Sequence, residues 1–140
     1  MIWKLQGMNG HTRTWEFATA LQPFEIKFNT VSLSLRVRGN TRRLFFIEQT
    51  KLRPNRVAFN SEYGHRVGIC EHLPGQQQGR LLLHQHRFYY QQKADVVQLL
   101  DNGLFPLTSC TIHEALNIKP VELAALLFTH LWLYDSMVEL

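Results

Sequence analysis

The most promising chemistry in this sequence belongs to a run of basic residues near its middle. Between residues 36 and 56 a single acid, Glu48, stands among seven cations, so the segment carries a net +6 in a chain of net charge +4. The seven cationic residues are Arg36, Arg38, Arg42, Arg43, Lys51, Arg53 and Arg56. Guanidinium groups stay charged and bind phosphate oxygens through paired hydrogen bonds. The segment therefore predicts a binding site for an anionic partner.

Several partners suit such a segment, and a solvated face paired with acids elsewhere is the alternative without a function. Anionic phospholipid attracts basic residues with about 1 kcal/mol each. Single-stranded nucleic acid requires aromatic side chains among the cations. Phe45 and Phe46 are the only aromatics in the segment, and at least one is needed in the core. Nucleic acid is thus disfavoured, which leaves anionic phospholipid or an acidic protein surface as the expected partner.

Histidine and cysteine offer weaker signals. His84 and His86 are two residues apart and would share one face of a strand, but a metal site needs three or four ligands and the spacing supplies no third. They are weak candidates, and we expect no metal and no cofactor. Cys70 and Cys110 follow apolar runs and form no CxxC motif, which predicts buried, reduced thiols. His130, within an apolar stretch, is expected to be a hydrogen-bonded core residue.

Signatures of catalysis and export are missing from the sequence. It contains no GxxxxGK[ST], GxGxxG, GxSxG or HExxH motif, and no serine or cysteine stands at a recognisable nucleophile turn. We therefore expect a non-enzymatic protein. The first residues lack a basic region followed by an apolar run, which predicts a cytoplasmic protein, peripheral to the membrane if it binds lipid.

The elements that must position these residues are mostly strands. Residues 32–38 alternate between apolar and polar side chains, which places Arg36 and Arg38 on the outward face of a strand. Residues 43–48 form a second apolar run, and Gly39-Asn40 between the two favours a hairpin. Similar runs recur up to residue 112, and the first is expected around Trp15. We predict roughly nine strands, spaced as in a sandwich or barrel.

The last 20 residues follow a different pattern. Fourteen of them are hydrophobic, and Lys119-Pro120 is typical of a helix start. The predicted helix over 121–140 has only a thin polar stripe, formed by Glu122, Thr129 and Ser136. Its most apolar run, residues 123–134, is shorter than the roughly 20 residues that span a membrane. The pattern favours a core helix over a membrane anchor or a partner-binding helix.

A helix that is apolar on all sides needs cover on all sides. One sheet covers a single face, whereas a closed barrel surrounds the helix and removes exposed strand edges. The expected fold is mainly β: one domain, with a closed antiparallel β-barrel of about 9–12 strands in residues 1–112 around a buried hydrophobic C-terminal helix at 121–140. The alternative is a curled sheet whose helix is covered by a second copy in a dimer.

Three segments resemble the tubby C-terminal-like superfamily, which includes the phospholipid scramblases, the plant LURP-one-related proteins and small bacterial relatives. They are residues 55–69 (NRVAFNSEYGHRVGI), residues 79–90 (GRLLLHQHRFYY) and residues 123–137 (LAALLFTHLWLYDSM). The resemblance implies a barrel around a terminal helix, and lipid or phosphoinositide association. The expected function is binding of anionic phospholipid headgroups through the basic hairpin. A protein-interaction module, and a small metal-dependent enzyme built on His84 and His86, are the alternatives.

Overall fold

The computed structural model describes residues 2–17, 24–39, 42–50, 52–73, 77–113, 115 and 117–138, with side chains of the helix described as far as residue 133. They form eleven strands and one helix. The strands are β1 (Ile2–Asn9), β2 (Thr12–Phe17), β3 (Phe24–Asn29), β4 (Ser34–Arg38), β5 (Arg42–Thr50), β6 (Arg53–Ser61), β7 (Arg66–His72), β8 (Gln78–Leu83), β9 (His86–Lys93), β10 (Val96–Leu100) and β11 (Pro106–Ile112). The helix is α1 (Pro120–Val138).

The strands form a closed barrel in which each strand pairs with its neighbours in the sequence, and β1 pairs with β11 to close the ring. All sequential pairs are antiparallel, as predicted. The closing pair is parallel and short, with Ile2 opposite Thr111 and Trp3 opposite Ile112. This exception follows from the strand number, because in an up-and-down ring of eleven strands the first and last must run in the same direction.

Helix α1 lies inside this ring, which confirms the predicted barrel around a C-terminal helix. All ten residues from 122 to 131 are buried, although they face every direction around the helix axis. Their partners come from opposite walls: Trp3 on β1 bonds His130, and Phe59 on β6 stacks on Phe128 with ring centroids 4.2 Å apart. Strands β1 and β6 are half a turn apart in the ring. Among the described residues, no helix is long and apolar enough to cross a membrane.

The polar residues of the helix are satisfied within the barrel. Glu122 Oε2 accepts hydrogen bonds of 2.6 Å from both Trp15 Nε1 and Arg13 Nε. Thr129 Oγ1 donates to the carbonyl oxygen of Ala125 at 2.8 Å. The predicted polar stripe is therefore buried as far as it is described, while the side chain of Ser136 lies outside the described set. Hydrogen bonding explains how a fully enclosed helix tolerates these groups.

His130 and the two cysteines behave as predicted. Trp3 Nε1 donates to His130 Nδ1 at 3.3 Å, and burial lowers the pKa of His130 to about 4, so the imidazole is neutral. Cys70 and Cys110 are buried free thiols, and burial raises the pKa of each to about 12. A thiol that remains protonated at neutral pH is a poor nucleophile.

Strand β1 was not predicted. Of its eight residues only Trp3 is buried, and its pairing with β2 is interrupted by a register shift between Leu5 and Gly7. In the sequence, apolar and polar residues alternate only over residues 3–6, which is short for a strand signal. The strand exists because Trp3 fills the core and the ring needs a closing element, and neither reason is visible in a local pattern.

Candidate functional site

The predicted basic hairpin is formed by β4 and β5, and its outward face carries a groove that we call the basic groove. The groove is a surface hollow of about 370 Å³ on strands β3, β4 and β5. Four outward cations line it: Lys27, Arg36, Arg38 and Arg42. Two acids, Glu25 and Glu62, also line it. Cations therefore outnumber acids by two to one in this set.

The register of the strands places like charges directly opposite one another. Lys27 on β3 pairs with Arg36 on β4, and Arg38 on β4 pairs with Arg42 on β5. Side chains opposite each other on a sheet have Cβ atoms about 5 Å apart, and like charges there destabilise the sheet. Two such pairs stand side by side in the basic groove. An anion bound between them would relieve the repulsion.

None of these four cations forms an ion pair in the described part of the chain, although Glu25 on β3 lies directly opposite Arg38. Within the part of the chain that the structure describes, the ion pairs are Arg13–Glu122, Arg66–Glu48 and Arg80–Glu71. None of them involves a cation of the basic groove. The four charges thus remain available to an external anion, in contrast to the paired arginines elsewhere on the barrel.

Arg43 departs from the prediction, because its side chain turns into the barrel end although it also borders the groove. Phe45, two residues later on β5, is buried, and residues two apart on a strand point to the same face. The guanidinium carbon of Arg43 lies 5.6 Å from the Phe45 ring centroid and 5.4 Å from that of Trp132. Its Nε is buried with no hydrogen-bond partner in the described structure. Cation–π contacts thus hold Arg43 against the helix.

Arg53 and Arg56 lie away from the basic groove, contrary to the single predicted cluster. Arg53 pairs with Thr50 at the far end of β5 from Arg42. Arg42 and Thr50 are eight residues apart along the extended strand β5, which corresponds to about 26 Å. Lys51, which was also predicted, lies outside the described residues.

Arg56 borders a different hollow of about 260 Å³ on strands β6 to β9. It faces Glu71 across the strands, and Glu71 Oε1 accepts a hydrogen bond of 2.6 Å from Arg80 Nη2. This hydrogen bond raises the pKa of the exposed Arg80. This hollow contains three arginines, Arg56, Arg80 and Arg87, and one acid, Glu71, which lies opposite both Arg56 and Arg80 and forms an ion pair with Arg80.

The basic groove continues toward the other end of the barrel into a polar hollow of about 470 Å³. The two share Lys27 and Arg36. The remaining lining is made of hydroxyl and amide side chains, namely Asn9, Thr12, Thr14, Asn29, Ser32 and Ser34. Such groups donate to and accept from the hydroxyls of a ligand. The combined surface therefore suits a ligand that carries both phosphate and hydroxyl groups.

Lys27 was missed at the sequence level because the charge count began at residue 36. A usable signal was present: residues 24–28 alternate between apolar and polar side chains, which directs Lys27 outward. Antiparallel pairing with the next strand then places it beside Arg36. Strand adjacency, added to the charge count, would have identified the fourth cation.

The two histidines considered for metal binding do not share a strand face. His84 lies in the turn after β8 with a positive φ of 56°, and His86 begins β9. Both are exposed. Across the described chain, no group of three or more His, Cys, Asp or Glu side chains is arranged to hold a metal ion. The same-face geometry assumed for the two histidines was therefore wrong.

Comparisons with protein-family models, with curated proteins and with solved structures found no match to this chain.

Proposed function

We propose that this protein is a non-enzymatic, tubby-like domain that binds the headgroups of anionic phospholipids in the basic groove. The observation that carries the proposal is the pair of like-charge contacts, Lys27 with Arg36 and Arg38 with Arg42. Without a ligand the Lys27–Arg36 pair costs stability, whereas Arg38 also faces Glu25 on β3. With a phosphate between the cations, each guanidinium can donate paired, charge-assisted hydrogen bonds.

The neighbouring polar hollow supports a headgroup with several hydroxyls. Thr14, directly opposite Lys27, and Ser34, on the same face of β4 as Arg36, lie beside the cations that the two hollows share. Inositol and glycerol headgroups combine hydroxyls with phosphate, whereas the headgroup of phosphatidylserine has a carboxylate and an ammonium but no free hydroxyl for the polar hollow. We therefore propose a preference for phosphoinositide or phosphatidylglycerol over phosphatidylserine at equal membrane charge.

An exposed aromatic residue lies at the same end of the barrel. Tyr63 is 78% exposed in the turn between β6 and β7, next to Glu62 at the margin of the groove. Tyrosine favours the interface between lipid and water because its ring is apolar and its hydroxyl is polar. A membrane that contacts the basic groove would meet this side chain as well.

The test is co-sedimentation with vesicles of phosphatidylcholine alone, or with phosphatidylserine, phosphatidylglycerol or phosphoinositide at matched charge. The variant Arg36→Ala with Arg38→Ala is compared with Arg53→Ala with Arg87→Ala, which removes the same charge outside the groove. At about 1 kcal/mol for each basic residue, the groove variant should bind about thirtyfold more weakly. The control variant should bind nearly as well as the original protein.

If the two variants lose the same affinity for vesicles, binding depends only on net charge, and the proposed site is wrong. Binding of the soluble headgroup, inositol trisphosphate, without binding to vesicles would assign the groove to a free phosphorylated ligand instead. Failure of all these ligands would reject lipid in favour of the alternative, an acidic protein surface.

A further inference from the structure

Helix α1 does not fill the barrel evenly. Its first turn is fastened to β2 through the hydrogen bond from Trp15 to Glu122. On the side toward β6 to β8, the helix presents Phe128 and, one turn earlier, Ala124. These two residues differ greatly in size, so the fit of the helix against this wall changes within one turn.

Phe128 fills its part of the wall completely. Its ring stacks on Phe59, and a Cβ atom at Gly68 would lie 2.7 Å from it. Ala124 is also buried, and it lines a pocket of about 150 Å³ whose other walls come from β5, β6, β7 and β9 and from Ala115, Ile118 and Pro120. Because Ala124 lines the pocket, a larger side chain at position 124 would reduce its volume.

The pocket wall is mainly apolar and, among the described residues, contains no Asp, Glu, Lys or Arg. Val57, Cys70 and Leu123 are among its apolar members. His72, Tyr90 and Gln92 are polar members in its interior, and the exposed Gln49 and Asn55 lie where it opens to the surface. An uncompensated charge in such surroundings would be costly, whereas a neutral ligand with one polar group would be tolerated.

A hydrogen-bonded pair supplies the polar end of the pocket. The Tyr90 hydroxyl lies 2.7 Å from His72 Nδ1. Burial raises the pKa of Tyr90 above its usual value, so the hydroxyl stays protonated and neutral. Gln92 Nε2 is engaged with the carbonyl oxygen of Ala94 at 3.3 Å. The Tyr90 oxygen, which has two lone pairs, retains capacity for a further hydrogen bond.

We propose that the pocket beside Ala124 binds a small, uncharged molecule that has a compact apolar body and one hydroxyl or carbonyl group, of the size of phenol. Three observations determine this class: the pocket volume, the lack of charged side chains in its described wall, and the His72–Tyr90 pair at one end. An engineered apolar cavity of about 150 Å³ in another protein holds benzene, so the volume suits one aromatic ring. This site is independent of the basic groove.

The experiment uses the full chain and three probes, namely phenol, toluene and benzoate. Phenol and benzoate are titrated to about 10 mM, and toluene to its lower solubility limit in water, while the backbone amide signals of Cys70 and Ala124 are followed by NMR. Phenol should give saturable shifts and should bind up to about tenfold more tightly than toluene, which lacks the hydroxyl. Benzoate should not bind. Equal binding of benzoate, or no saturable shift with phenol, would overturn the proposal.

Two variants locate the site. Ala124→Leu should fill the pocket and abolish binding of phenol and toluene, whereas Arg36→Ala in the basic groove should leave both unchanged. His72→Leu with Tyr90→Phe, which keeps the pocket open, should bind toluene and lose the preference for phenol. Phenol binding that survives Ala124→Leu contradicts the assignment. If Ala124→Leu does not fold, the double variant His72→Leu with Tyr90→Phe still tests the assignment. A preference for phenol over toluene that persists in this double variant would contradict it.

Discussion

The indole nitrogen of Trp15 donates a 2.6 Å hydrogen bond to Glu122 Oε2, which joins the wall of the barrel to the first turn of the helix inside it. The same carboxylate oxygen accepts a hydrogen bond from Arg13 Nε. Glu122 is almost fully buried, whereas Arg13 remains partly exposed. A single acid thus satisfies two donors from β2 and fixes the helix against that wall.

Removal of this carboxylate should be costly. In Glu122→Ala the guanidinium of Arg13 and the indole N–H of Trp15 both lose their acceptor, so we expect unfolding free energy to fall by about 3–5 kcal/mol. Glu48→Ala, which breaks the exposed pair with Arg66, should cost no more than about 1 kcal/mol. Urea denaturation measures both, and equal losses would show that Glu122 does not anchor the helix.

His130 should make the protein sensitive to mild acid. Its pKa is about 4 in the folded protein, against an ordinary value of 6.5, because burial disfavours the imidazolium. Between these values the unfolded chain binds the proton first, so stability is full above about pH 6.5 and declines as the pH falls toward 4, by about 3 kcal/mol. The stability difference between the original protein and His130→Gln should therefore change across this range. A constant difference would contradict this account.

Arg36→Glu should separate stability from binding. The new carboxylate would face Lys27, so a repulsive contact becomes attractive and stability should rise by up to about 1 kcal/mol. Vesicle binding should be lost because the groove gives up a cation and gains an acid. Arg53→Glu, opposite Thr50, is the matched control and should change stability little. Thermal unfolding of the Arg36→Glu variant below that of the original protein would argue against the repulsion.

Gly68 should not tolerate a side chain. A Cβ there would lie 2.7 Å from the Phe128 ring and 3.2 Å from the carbonyl oxygen of Leu82, so Gly68→Ala should cost about 1–3 kcal/mol through overpacking. Gly7→Ala is the control, because its Cβ would meet nothing within 4 Å. Adding Phe128→Leu to Gly68→Ala should recover part of the loss. A Gly68→Ala variant as stable as Gly7→Ala would exclude close packing at this point.

Much of the architecture was predictable because a few patterns were unambiguous. The alternation in β4 directed Arg36 and Arg38 outward, and a helix apolar on all sides required a closed wall. The faces of single strands and the fold class follow from such periodicities. The direction of Arg43 was not fixed in this way, because the sequence required only one of Phe45 and Phe46 in the core, and Arg43 points inward because that residue is Phe45.

The composition of the groove was less predictable because it depends on pairing between strands. Lys27 joins Arg36 only through the register of β3 and β4, and Arg53 is excluded only through the length of β5. The pocket beside Ala124 depends on how the helix lies against the surrounding strands, to which the contact of Glu122 with β2 contributes. Such relationships between distant segments leave no local mark in the sequence.

The parallel pairing of β1 with β11, which closes the barrel, has a consequence for how the chain folds. Residues 2 and 3 must find residues 111 and 112, so the ring cannot close until nearly the whole chain is available. The helix that fills the ring follows later still in the sequence. Contacts this distant in sequence slow folding to the range of milliseconds to seconds. The strands and the helix must therefore fold together. We expect folding to be one slow, cooperative transition. In nascent chains that lack the C-terminal helix, the barrel should remain unclosed.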